Sequence, residues 1–224
     1  MARVAVELTN FTGGELSPRL DGRTDLAKYE SGCSTLENLV VYPHGSAARR
    51  PGSTFLAEVA NSANKTRLIP FEFSTTQTYM LEFSNLKMRV YKDSGAVLEG
   101  DKTISAITKA NPAVVTANSH GYSNGDEVVI TAVGGMTEVN GKRFLVADKT
   151  TNTFELQDKD GVDINSSSFT TYTSGGVSNK VFELATPYTT AQLFDIKFAQ
   201  SADVMYITHP AHEVEKLSRT GHTA

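Results

Sequence analysis

Apolar and polar residues alternate with a period of two along most of this chain, in short runs. Val4, Val6 and Leu8 alternate with Ala5, Glu7 and Thr9, the pattern of a half-buried strand rather than the continuous apolar stretch of a signal peptide. Residues 36–42 form an apolar run closed by Pro43-His44-Gly45, which predicts a short strand ending in a tight turn. Residues 67–73 read as a strand that Pro70 confines to an edge or a bulge. Residues 78–83 and 87–91 read as the next two strands, with a connection at 84–86 and a strong turn at 92–95. Such spacings predict an antiparallel meander.

Two stretches carry helix signals instead. Asp21 or Thr24 can cap a short helix with Leu20, Leu26, Ala27 and Tyr29 as its apolar positions and Gly32 at its end. It would be only about two to three turns long, too short to stand alone in water. Thr189 or Thr190 can cap a second, carrying Leu193, Phe194 and Ile196. Between the two regions, residues 103–178 are rich in Thr, Asn, Gly and Val, with turn dipeptides at Asn111-Pro112, Asn124-Gly125, Gly134-Gly135, Asn140-Gly141, Asp160-Gly161 and Gly175-Gly176. The strands between these turns, at 113–116, 127–130, 143–146 and 153–156, predict a small barrel or sandwich. Residues 181–188 read as a strand ending at Pro187, and residues 198–208 as a return to the outer sheet.

Residues 77–95 and 203–221 share length and order, with Met80 falling on Tyr206, Leu81 on Ile207, Met88 on Val214 and Tyr91 on Leu217. Two equivalent hairpins, as in sheet repeats or propeller blades, would look like this; so would any two unrelated hairpins. The fold expected is mainly β: a discontinuous antiparallel, propeller-like sheet domain with one or two short helices. Residues 1–102 form its arm and first part, 103–178 an inserted small β-barrel, and 179–224 its return. The chain stops just past Gly221, where a further strand is expected, so it reads as an amino-terminal portion.

Composition narrows the function. The chain has 224 residues, 39% hydrophobic and 21% charged, with a formal net charge of −4. This is ordinary for a globular protein and argues against a surface built to grip DNA. Cys33 is the single cysteine, so neither an internal disulfide nor a thiolate cluster can form. No window has the apolar length of a membrane-spanning helix.

Candidate chemistry is thin. Cys33 and His44 lack the spacing of a nucleophile and base. His209 and His212 could approach a metal but bring no third ligand of recognisable spacing. Asp158, Asp160 and Asp163 lack the ligand pattern and terminal Glu of a calcium loop, and the glycine pairs lack the Lys-Ser/Thr of a phosphate loop. Glu213 and Glu215 read as a solvated strand face rather than a glycosidase pair. The expectation is no catalysis, no cofactor and no metal.

The run FTGGELSPRLDGRTDLAKYESGCSTLENLVVYPHGSAARRPGSTF, residues 11–55, resembles the amino-terminal segment of tailed-phage virion proteins of the tail-tube or nozzle type (tail tubular protein B-like). The resemblance implies a ring-forming structural subunit of the virion, assembled in the bacterial host cytoplasm. Its partners would be copies of itself and other tail, adaptor or portal proteins, and DNA would pass without specific binding. Paired Arg49 and Arg50 suit a carboxylate or phosphate partner, and equally a solvated basic turn. Small Ala47 and Ala48 allow close approach of another backbone. Leu16, Arg19, Tyr42, Arg49 and Arg50 are the expected interface contacts.

Within residues 103–178, the elements H-G-Y-x-x-G-D-x-V, M-x-x-V-N-G and F-x-L resemble the first catalytic-cysteine half-domain (FCCH), a small β-barrel of ubiquitin-activating enzymes. That segment contains no cysteine, so the resemblance implies fold without thioester chemistry. An alternative expectation makes this barrel a binding module for a host glycan or a tail fibre.

Overall fold

The computed structural model describes residues 8–74 and 77–221; most of the strand expected at Val4, Val6 and Leu8 lies outside them. The chain divides into two compact units, residues 1–55 and 56–224.

The first unit has little regular structure. Gly14–Glu15 (β1) and Gly32–Cys33 (β2) pair in parallel. Gly13 lies so close to the returning chain that a Cβ there would stand 2.9 Å from the carbonyl oxygens of Lys28 and Ser31. The helix expected between these strands is replaced by two single-turn 3-10 helices, Pro18–Leu20 and Tyr29–Ser31. Ser17 caps the first, and Gly22, at φ 75°, takes the backbone out of helical space before a second turn can form. Leu39–Val41 (β3) and Ala47–Arg49 (β4) form an antiparallel hairpin closed over Pro43 to Gly45. β4 carries no alternation of its own and is a strand because β3 pairs with it.

Among the described residues the second unit holds three sheets. Arg67–Ser74 (β5), Gln77–Ser84 (β6), Lys87–Lys92 (β7) and the short Gly95–Ala96 (β8) run as the predicted meander. β5 is the edge strand that Pro70 requires. Next come Lys102–Thr103 (β9), Ala106–Ile107 (β10), Val114–Thr116 (β11), Glu127–Gly134 (β12), Lys142–Ala147 (β13), Thr153–Gln157 (β14) and Ser174–Lys180 (β15). They make one curled, all-antiparallel sheet in the order β10-β11-β14-β13-β12-β15-β9, a half-barrel. Gly125 and Gly141 take positive φ at the predicted Asn-Gly turns, as such turns demand. Its interior is filled by Val115, Ile130, Val139, Phe154 and Leu156, all without exposed surface.

Glu183–Ala185 (β16) adds to β7, and Lys197–Ser201 (β17), Val204–His209 (β18) and His212–Ser218 (β19) form a three-stranded sheet. The helix expected after Thr189 is a run of turns, yet it still buries Leu193 and Ile196; Phe194 is exposed. The β6-β7 and β18-β19 hairpins lie in different sheets that share one core of Ile69, Leu81, Phe83, Met205 and Ile207. Each such side chain contributes about 1.5–3 kcal/mol by leaving water. The matched positions agree on the first strand, with Leu81 and Ile207 buried and Met80 and Tyr206 exposed. They part on the second: Met88 is buried and Val214 is 65% exposed, because Val214 shares the outward face of β19 with Lys216, the partner of exposed Tyr206.

The half-barrel and the sandwich that the β5–β8/β16 and β17–β19 sheets form over their shared core are joined by a seam of buried charge. Arg89 on β7 and Glu127 at the start of β12 are 3% and 1% exposed and pair at 2.7 Å. Glu127 also takes Lys159 at 2.6 Å and Arg143 at 3.3 Å. Arg89 also pairs with Glu183 on β16, whose other oxygen takes Lys87 at 2.8 Å. Beneath, the Tyr91 hydroxyl donates to Glu82 at 2.6 Å, and burial together with that carboxylate pushes the phenol pKa up.

Removing one partner from a buried pair strands the other, at a cost of about 3–5 kcal/mol. Arg89→Ala should therefore lower unfolding stability by that amount in urea titration; a loss below about 1 kcal/mol, the range of exposed pairs, would contradict the assignment. Burial raises the Glu183 pKa, but the Lys87 hydrogen bond and Arg89 lower it by more, so the net shift is downward. The folded protein thus holds this proton more weakly than the unfolded chain. The stabilisation is present above the ordinary value of 4.5 and lost as pH falls through the folded pKa. Glu183→Gln should flatten the acid limb of a stability-pH curve.

Candidate functional site

The residues expected at an interface all lie in the first unit. Leu16 is half-buried and covers Gly32, where a Cβ would stand 2.5 Å from the Leu16 Cγ. Arg19 is exposed in the first 3-10 helix. Tyr42, 44% exposed, stacks on His44 with ring centroids 5.5 Å apart. Arg49 and Arg50 are exposed at the end of β4, and the Arg50 Nε donates to Asn38 Oδ1 at 3.0 Å. The hairpin carries Tyr42 at its turn end and Arg49 and Arg50 at its open end, where Arg49 pairs in register with Leu39; Leu39 and Val40 are 39% and 42% exposed. Leu16 and Arg19 belong to the β1-β2 part of the unit instead. Among the described residues no carboxylate pairs with Arg49 or Arg50.

The other candidates take structural places. Cys33 is half-buried, and its thiol donates to the Gly14 carbonyl at 3.7 Å. His209 and His212 face each other across the β18-β19 turn with centroids 5.1 Å apart and both pack on Tyr188. Among the described residues no group of three or more His, Cys, Asp or Glu gathers as a metal would need. Asp158 folds its own turn, its Oδ1 accepting from the amides of Asp160 and Val162. Among the described residues no helix is long and apolar enough to cross a membrane.

Sequence reasoning missed the ionic seam. A usable signal lay in β7: Arg89 sits between Met88 and Val90 in a strand buried on both faces, where a lone cation needs a partner.

The half-barrel motifs build its core. His120 is 2% exposed. Its Nδ1 accepts from the Tyr122 amide at 3.0 Å, which sets the ring proton on Nε2, 3.3 Å from the Thr153 carbonyl. The Tyr122 hydroxyl donates to the Ser178 carbonyl at 2.9 Å, tying the motif to β15. Asp126 accepts from the Ser123 amide at 2.8 Å and so holds the turn around Gly125. In M-x-x-V-N-G, Met136 and Val139 are fully buried. Asn140 closes a two-way bridge to Val133, accepting from its amide and donating to its carbonyl, both at 2.9 Å.

A carboxylate can accept from the Val133 amide but cannot donate to its carbonyl. Asn140→Asp should therefore cost about 1–3 kcal/mol in denaturant titration, while Asn140→Ser should keep part of the bridge and lose less. Residues 110–181 match the family described as the ubiquitin-activating enzyme E1 FCCH domain. The match covers less than half of the chain and contains no cysteine. No curated protein matches the chain. Over the half-barrel, then, this chain is similar to the FCCH domain.

Proposed function

We propose that this chain is a structural component of a bacteriophage tail, a tube or nozzle subunit near the portal, whose copies form a ring through residues 10–55. The observation that carries the reading is the β3-β4 hairpin. It exposes Val40 and Tyr42 on one face and Leu39 on the other, with Arg49 and Arg50 at the open end and no counter-ion for either among the described residues, on a two-stranded ribbon of three-residue strands. Such a ribbon is marginal in isolation, and an apolar surface rimmed by charge is typical of a contact surface. The resemblance of residues 11–55 to tail-tube and nozzle proteins gives that contact its setting in the virion. A net charge of −4 would let DNA slide past without phosphate grip. In this reading the chain is not an enzyme and uses no cofactor, and its partners are its own copies and neighbouring tail, adaptor or portal proteins.

Light scattering across a wide concentration range tests the reading. A discrete closed oligomer is expected, and a monomer at every concentration would count against it. Arg49→Glu combined with Arg50→Glu should raise the concentration needed for assembly by about tenfold or more, since like charge at a rim opposes association. The far-ultraviolet circular dichroism should not change, because both residues are exposed.

A further inference from the structure

The second unit contains an unfinished sandwich. β16 and β19 are the terminal strands of the two sheets that share the Phe83 core, so each has one edge unpaired among the described strands. Between them runs a shallow apolar groove, in two stretches that share Met88, Leu184 and Leu217 in their walls. Leu81 and Phe83 lie along its floor. Tyr188 and Thr186 line the second stretch, and both hydroxyl oxygens are buried with no hydrogen-bond partner among the described residues. Tyr188 is only 1% exposed, so its hydroxyl loses water with no replacement, a cost that an incoming backbone group would relieve. Open strand edges, an apolar slot and orphaned hydroxyls together suit an extended segment added strand-wise.

The rim identifies the guest. Glu215 and Lys216 line the second stretch and Arg219 the first, Glu213 is exposed just beyond on β19, and among the described residues neither glutamate forms an ion pair. The complementary features are in this same sequence: the β3-β4 hairpin has both edges unpaired among the described strands, exposed Leu39, Val40 and Tyr42, small Ala47 and Ala48, and Arg49 and Arg50. We infer that the groove between β16 and β19 receives the β3-β4 hairpin of a second copy of this chain, its apolar side chains in the slot and its arginines against Glu213 and Glu215. Groove and hairpin are different surfaces, so the contact is heterologous and propagates from copy to copy until it closes. The inference rests on the ring reading above and supplies the missing half of its interface.

Charge reversal on both sides tests it. One variant carries Arg49→Glu and Arg50→Glu; the other carries Glu213→Arg and Glu215→Arg. In each, hairpin and groove now bear like charge, and each alone should lose the oligomer seen for the unmodified chain. Mixed in equal amounts they should co-assemble, because each hairpin then meets a groove of opposite charge, and a chain with all four changes should also assemble. All four residues are exposed, and circular dichroism confirms that each variant is folded. Variants that assemble like the unmodified chain would overturn the hairpin-groove contact while leaving ring formation intact. A mixture that stays monomeric would overturn the contact between copies. An unmodified chain that is monomeric at every concentration would overturn the ring reading, and the inference with it.

Discussion

The second unit depends on one buried ion pair. Arg89 and Glu127 meet at 2.7 Å with almost no exposed surface, and each belongs to a different sheet. Removing two charges from water is costly, and their attraction repays it only when further groups saturate them. The surrounding residues do this: Glu183 takes the Arg89 guanidinium, Lys159 and Arg143 take the remaining capacity of Glu127, and Lys87 completes Glu183. One guanidinium nitrogen, the Arg89 Nη1, is buried with no hydrogen-bond partner among the described residues. An apolar seam could match this arrangement for stability. Its distinguishing property is register, because a slip of one residue would strand several charges at once.

That seam lies where the chain passes from sandwich to half-barrel and back. Leu98 bridges Val181 in antiparallel fashion, the Val181 amide donates to the Glu127 carbonyl, and the Phe182 amide donates to the Val97 carbonyl. The two crossing segments are thus hydrogen-bonded to each other and to the strand that carries the central glutamate. Lys180, paired with Asp126 and Glu99 at 3.5 and 3.4 Å, extends the charged lattice to the surface. The half-barrel is therefore continuous with the sandwich through backbone bonds as well as charge.

In the sandwich the balance is different. Its core is dense, but one margin is left open between β16 and β19. The first unit is its opposite, all edge and little core. A chain with a motif-dense, well-packed half-barrel, an open sandwich and an exposed apolar hairpin divides the work between self-sufficient folding and surfaces that fold alone cannot satisfy.

The sequence by itself determined many of the strands and their turns. Period-two alternation located β5, β6 and β11 to β14 because one face of each meets a core, β7 was legible as a strand although both its faces are buried, and Asn-Gly at 124–125 and 140–141 marked turns that those residues form easily. Pro70 placed β5 at an edge because proline cannot donate to a neighbouring strand. The motif H-G-Y-x-x-G-D-x-V was legible because its residues bond within a few positions of one another. The tertiary structure decided what depends on distant partners. It dissolved both expected helices, whose propensity over a few residues could not compete with Gly22 or with the burial of Leu193 and Ile196 in turns. It made Ala47–Arg49 a strand through pairing alone. It also brought Arg89, Glu127 and Glu183 into contact, since the free energy of a buried charge is set by neighbours in space, which no local pattern records.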